Sequence, residues 1–478
     1  MNKKITIISI ILITIVVISF VPKAFQNDTF YLIKAGESLL KNGFDFIDHF
    51  SFHNLEYLYP HFLFSIIVYL SYNLLSFDGI YILTIIFSLL LAFVMYYVNI
   101  KNSNNKIVPL VTTLLFVIYM ISFFTLRSQI ISYTIFILEY YFLNKLINTN
   151  KNKYIIYIFL LSIILVNTHV AVYPFYFIIF LPIIGEHVIN KILKKETYSI
   201  KKVLISLGLV SISGLISPFN IDSYTYLYKT LINDTTNYIA EHKPMVLINN
   251  YRFLISLIFT IILFVSKKVK LELKEQLLLL GLIFMTLTSI RHESLFYIFF
   301  FIIVNNKVSN IIPKDIIEVI AKKLTTIKGY LITLTIVIIM CVPVLIRFNK
   351  EVYIPEEDYP IHATKYIKEN LDYENIRIFN NINIGSYLIL NDIKVFVDSR
   401  TDLYTSSYNG REDIYNNYIN VIMFNTYYEY IFNYYDIDYV LLSQKDNLTN
   451  YLPIPSITNY YTTEYQDENF ILYKRNTN

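Results

Sequence analysis

Residues 79–98 read GIYILTIIFSLLLAFVMYYV, a stretch with no charged, amide or proline side chain. Wound as an α-helix at ~1.5 Å per residue, a run of this length reaches ~30 Å, the thickness of a bilayer's hydrocarbon core. Comparable runs lie at residues 5–21, 107–126, 128–147, 153–168, 171–189, 202–218, 251–266, 275–290, 294–305 and 329–347. The chain is 55% apolar and 16% charged, with a mean hydropathy of +0.48. The expected architecture is a polytopic α-helical membrane protein with about eleven transmembrane helices and a C-terminal extracytoplasmic α/β domain. A net charge of +4 is too small for a nucleic-acid footprint. One cysteine, Cys341, excludes an intramolecular disulfide framework and a cysteine-built zinc site. The first run follows Lys3-Lys4 and precedes no small-residue cleavage pattern, so it reads as an uncleaved span.

Basic residues set the orientation. They cluster in 145–153, 191–202, 267–274 and 307–328, which the positive-inside rule assigns to the cytoplasm. The N-terminus is then cytoplasmic, while Arg127, His169, residues 219–250, Arg291 and everything after Arg347 lie outside the cell membrane. Both ends of residues 22–78 fall on the outer face, so the apolar run 61–76 cannot cross by itself. It reads as a juxtamembrane or re-entrant helix, tolerated where protein covers it. The run 294–305 is too short to cross unless flanking residues extend it. The expected domains are 1–347, with 22–78 as its first outer loop, and 348–478.

The first outer loop gathers ionisable groups beside hydrocarbon, where each costs roughly 2 to 4 kcal/mol unless paired or wetted. Asn27-Asp28-Thr29 suggests a helix cap, and Phe30, Ile33, Glu37 and Leu40 follow at helical spacing before Gly43. Phe44 to His53 alternates aromatic residues with Asp45, Asp48, His49 and His53, and leads to Pro60-His61. Taken singly, Asp28 reads as a cap and Asp48 as a turn residue. Together with Arg127, His169 and Arg291 at outer span ends, they suggest a water-filled site. His49, His53 and His61 leave a divalent metal open, although their spacing matches no zinc signature.

The order Asp28, Gly36, Asp48, Phe50, Ser51 resembles the first extracytoplasmic loop of the GT-C superfamily of membrane glycosyltransferases, relatives of the protein O-mannosyltransferases and aminoarabinose transferases. Asn167-Thr168-His169 and the stretch 380–404, with Gly385 to Leu388 and Asp398 to Tyr404, fit the same layout. Tyr57 and Tyr59 stand where relatives often carry tryptophan, which this chain lacks. The resemblance implies transfer of a sugar from a polyprenyl-phosphate donor, at the membrane lipid, to an acceptor glycan, lipid or protein. It implies Asp28 and Asp48 as catalytic carboxylates. Arg127, Arg291, His169 and His61 would bind substrate, as would Asp398 and Arg400 if the tail covers the site. Asp398 and Arg400 also read as an internal clasp. A lipid-linked sugar transporter and a non-catalytic scaffold are the rival readings; no internal repeat of spans supports the first.

In the tail, 361–371, 411–423 and 427–435 read as helices. Residues 376–379, 394–397 and 439–442 read as strands, and 460–465 against 470–474 as a closing hairpin. The outer loop 219–250, with Asp222, Asp234, Glu241, His242 and Lys243, offers a roof but no spacing that specifies chemistry.

Overall fold

The computed structural model describes residues 2–231, 240–452 and 461–476. The chain forms two compact units: Met1–Lys23 with Ile80–Asn220 and Thr236–Glu351, and Ala24–Gly79 with Ile221–Thr235 and Val352–Asn478. This partition differs from the expected one, because residues 24–79 group with the tail. Asp234 and Tyr460 lie outside the described residues.

Six described helices are long and apolar enough to cross a membrane: Lys3–Phe20, Phe62–Lys101, Gln129–Thr149, Val170–Ile192, Ile290–Ile311 and Ile327–Lys350. Other expected runs form shorter helices, Ile107–Tyr119, Lys153–Thr168, Lys201–Ser213, Tyr251–Val265 and Leu273–Thr288. The run 107–126 is cut short because the chain turns through a 3-10 segment at Ile121–Phe123. The opposite happens to the run 294–305, which extends to Ile311 because its polar continuation is satisfied internally. There Asn305 Nδ2 donates to the Asn99 carbonyl at 2.9 Å, and Lys307 pairs with Glu275 at 2.5 Å. Ile327–Lys350 leaves Leu331, Ile332, Leu334, Ile338, Ile339 and Leu345 each more than half exposed. An apolar surface of that extent fits lipid as its solvent.

The helix Phe62–Lys101 breaks at Leu75 and Ser76, whose φ/ψ values of −136/18° and 53/−139° are not helical. The run 61–76 is thus a separate helix from the one that follows.

The second unit has a four-stranded sheet, β1 (Ile378–Asn380), β2 (Tyr439–Ser443), β3 (Tyr461–Gln466) and β4 (Phe470–Arg475), in the order β1-β2-β4-β3. β1 and β2 run parallel, and the other pairs are antiparallel. The expected strand 394–397 makes only isolated bridges, because the Asn380 side chain takes over the ladder: its Oδ1 accepts from Phe396 N at 2.9 Å and its Nδ2 donates to Val397 O at 2.8 Å. Val395 bridges Ile378 on one side and Ser51 on the other, so single bridges tie the first loop to β1 through residue 395. Helices Ile361–Asn370, Ile414–Ile422 and Tyr428–Tyr434 occupy the expected helical stretches. A further helix, Ile382–Leu390, begins at Asn381, whose side chain caps the Asn383 N–H at 3.0 Å.

The helix Asn27–Asn42 crosses Phe62–Leu75 closely: a Cβ on Gly36 would meet the Ser65 carbonyl oxygen at 2.1 Å. Gln26 occupies its N-cap position, without a side-chain cap. Asp28 lies in the first turn and so does not form the cap expected from Asn27-Asp28-Thr29; Gly43 closes the helix at φ 71°.

Candidate functional site

Within the second unit, Asp48, Asp398 and Arg400 converge on one buried cluster. Local hydrogen bonds first build the Asp48 turn: Phe50 N and Ser51 N donate to its carboxylate at 3.2 Å, and Ser51 Oγ donates at 2.5 Å. Arg400 Nη1 adds a fourth donor at 2.6 Å. Arg400 Nε lies 2.8 Å from Asp398 Oδ1, its Nη2 lies 2.6 Å from Oδ2, and the Tyr404 hydroxyl donates to the same carboxylate. The guanidinium faces the rings of Tyr57 at 4.9 Å, Tyr31 at 5.0 Å and Phe50 at 5.2 Å. Burial works to raise the Asp48 pKa, but the charge of Arg400 and its hydrogen bond hold the carboxyl below its ordinary value. A Cβ on Gly385 would fall 2.2 Å from the Val397 carbonyl oxygen, so only glycine lets the helix Ile382–Leu390 approach this loop.

This arrangement commits both oxygens of Asp48 to donors already in the fold. Asp398 and Arg400 form the clasp that the sequence left open as an alternative, with Asp48 as a third member. The aromatic walls Tyr31, Tyr57 and Tyr404 were missed as a set, because 373 residues separate the first and last of them and no local periodicity links them.

Asp28 is partly exposed and lies within electrostatic reach of Tyr359. Its neighbour Asn27 donates to the Ile382 carbonyl at 2.9 Å. His61 starts the next helix, its carbonyl accepting from Ser65 N at 2.8 Å. His49 Nε2 lies 2.6 Å from Asp45, and His53 Nε2 lies 2.8 Å from the Phe396 carbonyl. Burial drives His53 down to about 4, so it is neutral at physiological pH. Among the described residues, no group of three or more His, Cys, Asp or Glu side chains is placed to hold a metal.

In the first unit, Arg127 and Arg291 meet one short segment. Arg127 Nη1 pairs with Glu241 at 3.2 Å, and Arg291 Nη1 lies 2.8 Å from His242 Nε2. Backbone bonds fix that segment beside the turn before Glu293–Ile311: Ile290 N donates to the Lys243 carbonyl and Met245 N to the Leu287 carbonyl, both at 3.1 Å. Burial, with Arg291 adding to it, lowers the His242 pKa and suits the imidazole to accept from the guanidinium. Tyr133 lies within electrostatic range of Arg127, Glu241 and Arg291. His169 terminates the helix Lys153–Thr168, is buried, and its Nδ1 lies 2.9 Å from Ser132 Oγ. Arg252, within electrostatic reach of Glu293, was not singled out by the sequence because it opens an apolar helix and looks like an anchor.

No protein-family model matches this chain, and no curated protein matches it.

Proposed function

We propose that this chain is a membrane glycosyltransferase of the GT-C type. It moves a sugar from a polyprenyl-phosphate donor to an acceptor outside the cytoplasmic membrane, with about eleven crossings and a cytoplasmic N-terminus. The observation that carries this reading is the gathering of Arg127 and Arg291 on the Glu241-His242 segment. Each guanidinium there has a partner that a phosphate oxygen can replace: one carboxylate that is 60% exposed, and one imidazole nitrogen. Arginine suits this task because its planar fork takes two phosphate oxygens and keeps its charge near lipid.

Asp28 is the base that takes the acceptor's hydroxyl proton, and direct displacement then inverts the anomeric carbon. Asp48, whose oxygens are already occupied, is a positioning residue that holds the first loop through Arg400. The test is transfer from radiolabelled polyprenyl-phosphate sugars by the purified full-length protein. Asp28→Asn is expected to lose ~100-fold or more of the turnover, whereas Arg291→Met mainly raises the KM for the donor. Undiminished transfer by Asp28→Asn removes Asp28 as the base. Absence of transfer by the wild type with every donor tried removes the enzymatic reading.

A further inference from the structure

Glu139 stands near the middle of the apolar helix Gln129–Thr149 and is fully buried, at 0% exposure. Neither carboxyl oxygen receives a hydrogen bond from a described residue. The other buried acids of this unit are engaged. Glu275 pairs with Lys307 at 2.5 Å, and Glu186 accepts from the Lys274 backbone N–H at 3.2 Å.

Of the charged groups on the helices packed against Gln129–Thr149, Lys153, Lys191 and Lys201 lie exposed at the ends of their helices, and others have partners of their own. His187 lies 3.0 Å from Thr197 Oγ1, Lys202 donates to the Asn150 carbonyl, and Glu293 accepts from Tyr297. Tyr176 is the titratable neighbour within electrostatic reach of Glu139, and its hydroxyl donates to the Ile158 carbonyl at 2.7 Å.

An isolated carboxylate in such surroundings costs at least several kcal/mol, whereas a carboxylic acid costs far less. A leucine or methionine would fill the same helix position without either penalty, and ionisable groups retained inside a span typically serve proton or ion movement. A metal cation is a poor occupant, because it needs several oxygen ligands and, among the described residues, no group of three or more His, Cys, Asp or Glu side chains is placed to hold one.

We infer that Glu139 is a proton-binding site inside the helical unit, occupied in this conformation and shielded from water. The proton leaves only when a rearrangement admits water: the acid O–H breaks, its electron pair stays on the carboxylate, and water becomes hydronium. The site is independent of the sugar-transfer reading, since it shares no residue with the arginine cluster.

The experiment is carbodiimide labelling of the full-length protein in liposomes, read by peptide mass mapping. Dicyclohexylcarbodiimide enters lipid and adds to protonated carboxylic acids. It is expected to modify Glu139 at neutral pH faster than a water-soluble carbodiimide does, with no protection by sodium or potassium, and the adduct is expected to be lost in Glu139→Gln. No adduct at Glu139 in monodisperse wild type overturns the inference, as does equal labelling by the water-soluble reagent or protection by an alkali cation. Should Glu139→Gln fail to fold, fragment masses locate the adduct in the wild type.

Discussion

Arg400 illustrates how one cation can decide the role of two acidic motifs. It bonds Asp398 two residues away and Asp48 352 residues away, so only the first partner is legible in the local sequence. The clasp Asp398-Ser399-Arg400 was therefore an open reading from the chain alone, whereas the third member needed the fold. Arg400→Met would leave two buried carboxylates without their cation. It is expected to cost ~3 to 5 kcal/mol, measured as a lower unfolding midpoint of the detergent-solubilised protein, and an unchanged midpoint would refute the cluster. His53 adds a pH dependence of defined sign. Its pKa falls from the ordinary 6.5 to about 4 in the folded chain, so folding disfavours its protonated form. Its stabilising contribution is complete above the unfolded value and is lost as pH falls from 6.5 towards 4, by about 3 kcal/mol. His53→Gln is expected to flatten that part of the stability profile, and an unaltered slope would show that other groups generate it.

At the scale of elements, sequence periodicity located most helices because apolar runs and caps are local properties. It failed where a side chain from elsewhere replaced backbone pairing, as Asn380 does for residues 394–397. It also passed over Ile382–Leu390, a nine-residue stretch in which Asn383, Gly385 and Ser386 interrupt the apolar residues and weaken the helical pattern. Gly36 carries information of the other kind. The sequence showed it only as part of a motif, but the crossing of two helices explains why a glycine stands there, with the Ser65 carbonyl 2.1 Å from where a Cβ would lie. Gly36→Ala must push the helices apart and is expected to cost ~1 to 3 kcal/mol. Gly281→Ala is the control, since nothing lies within 4 Å of its added Cβ and it sits inside the helix Leu273–Thr288. That change should raise stability by roughly 0.5 to 1 kcal/mol through helix propensity. Equal effects of the two substitutions, read as shifts in thermal midpoint, would discount the close crossing.

For the molecule as a whole, charge counting and folding make separate statements that one labelling experiment can join. Hydropathy marked eleven runs, but length limits six described helices to the class able to cross, because several runs end in turns before ~18 residues. The compact unit that contains Ala24–Gly79 also contains Val352–Asn478, and the expectation is that Lys41 and Glu468 within it lie on one side of the membrane. Parity of the basic loops independently demanded that both ends of residues 22–78 share a face. The orientation that the basic loops imply puts that side outside and Lys195 inside. In a Cys341→Ser background, single cysteines at the exposed positions Lys41, Glu468 and Lys195 test both statements with an impermeant maleimide on intact cells. Lys41→Cys and Glu468→Cys are expected to react without permeabilisation, and Lys195→Cys only after it. Opposite behaviour at 41 and 468 would break the folding unit itself. Common behaviour of all three would leave the unit standing and reverse the assignment of the basic loop, which removes the outer-face chemistry proposed for Asp28.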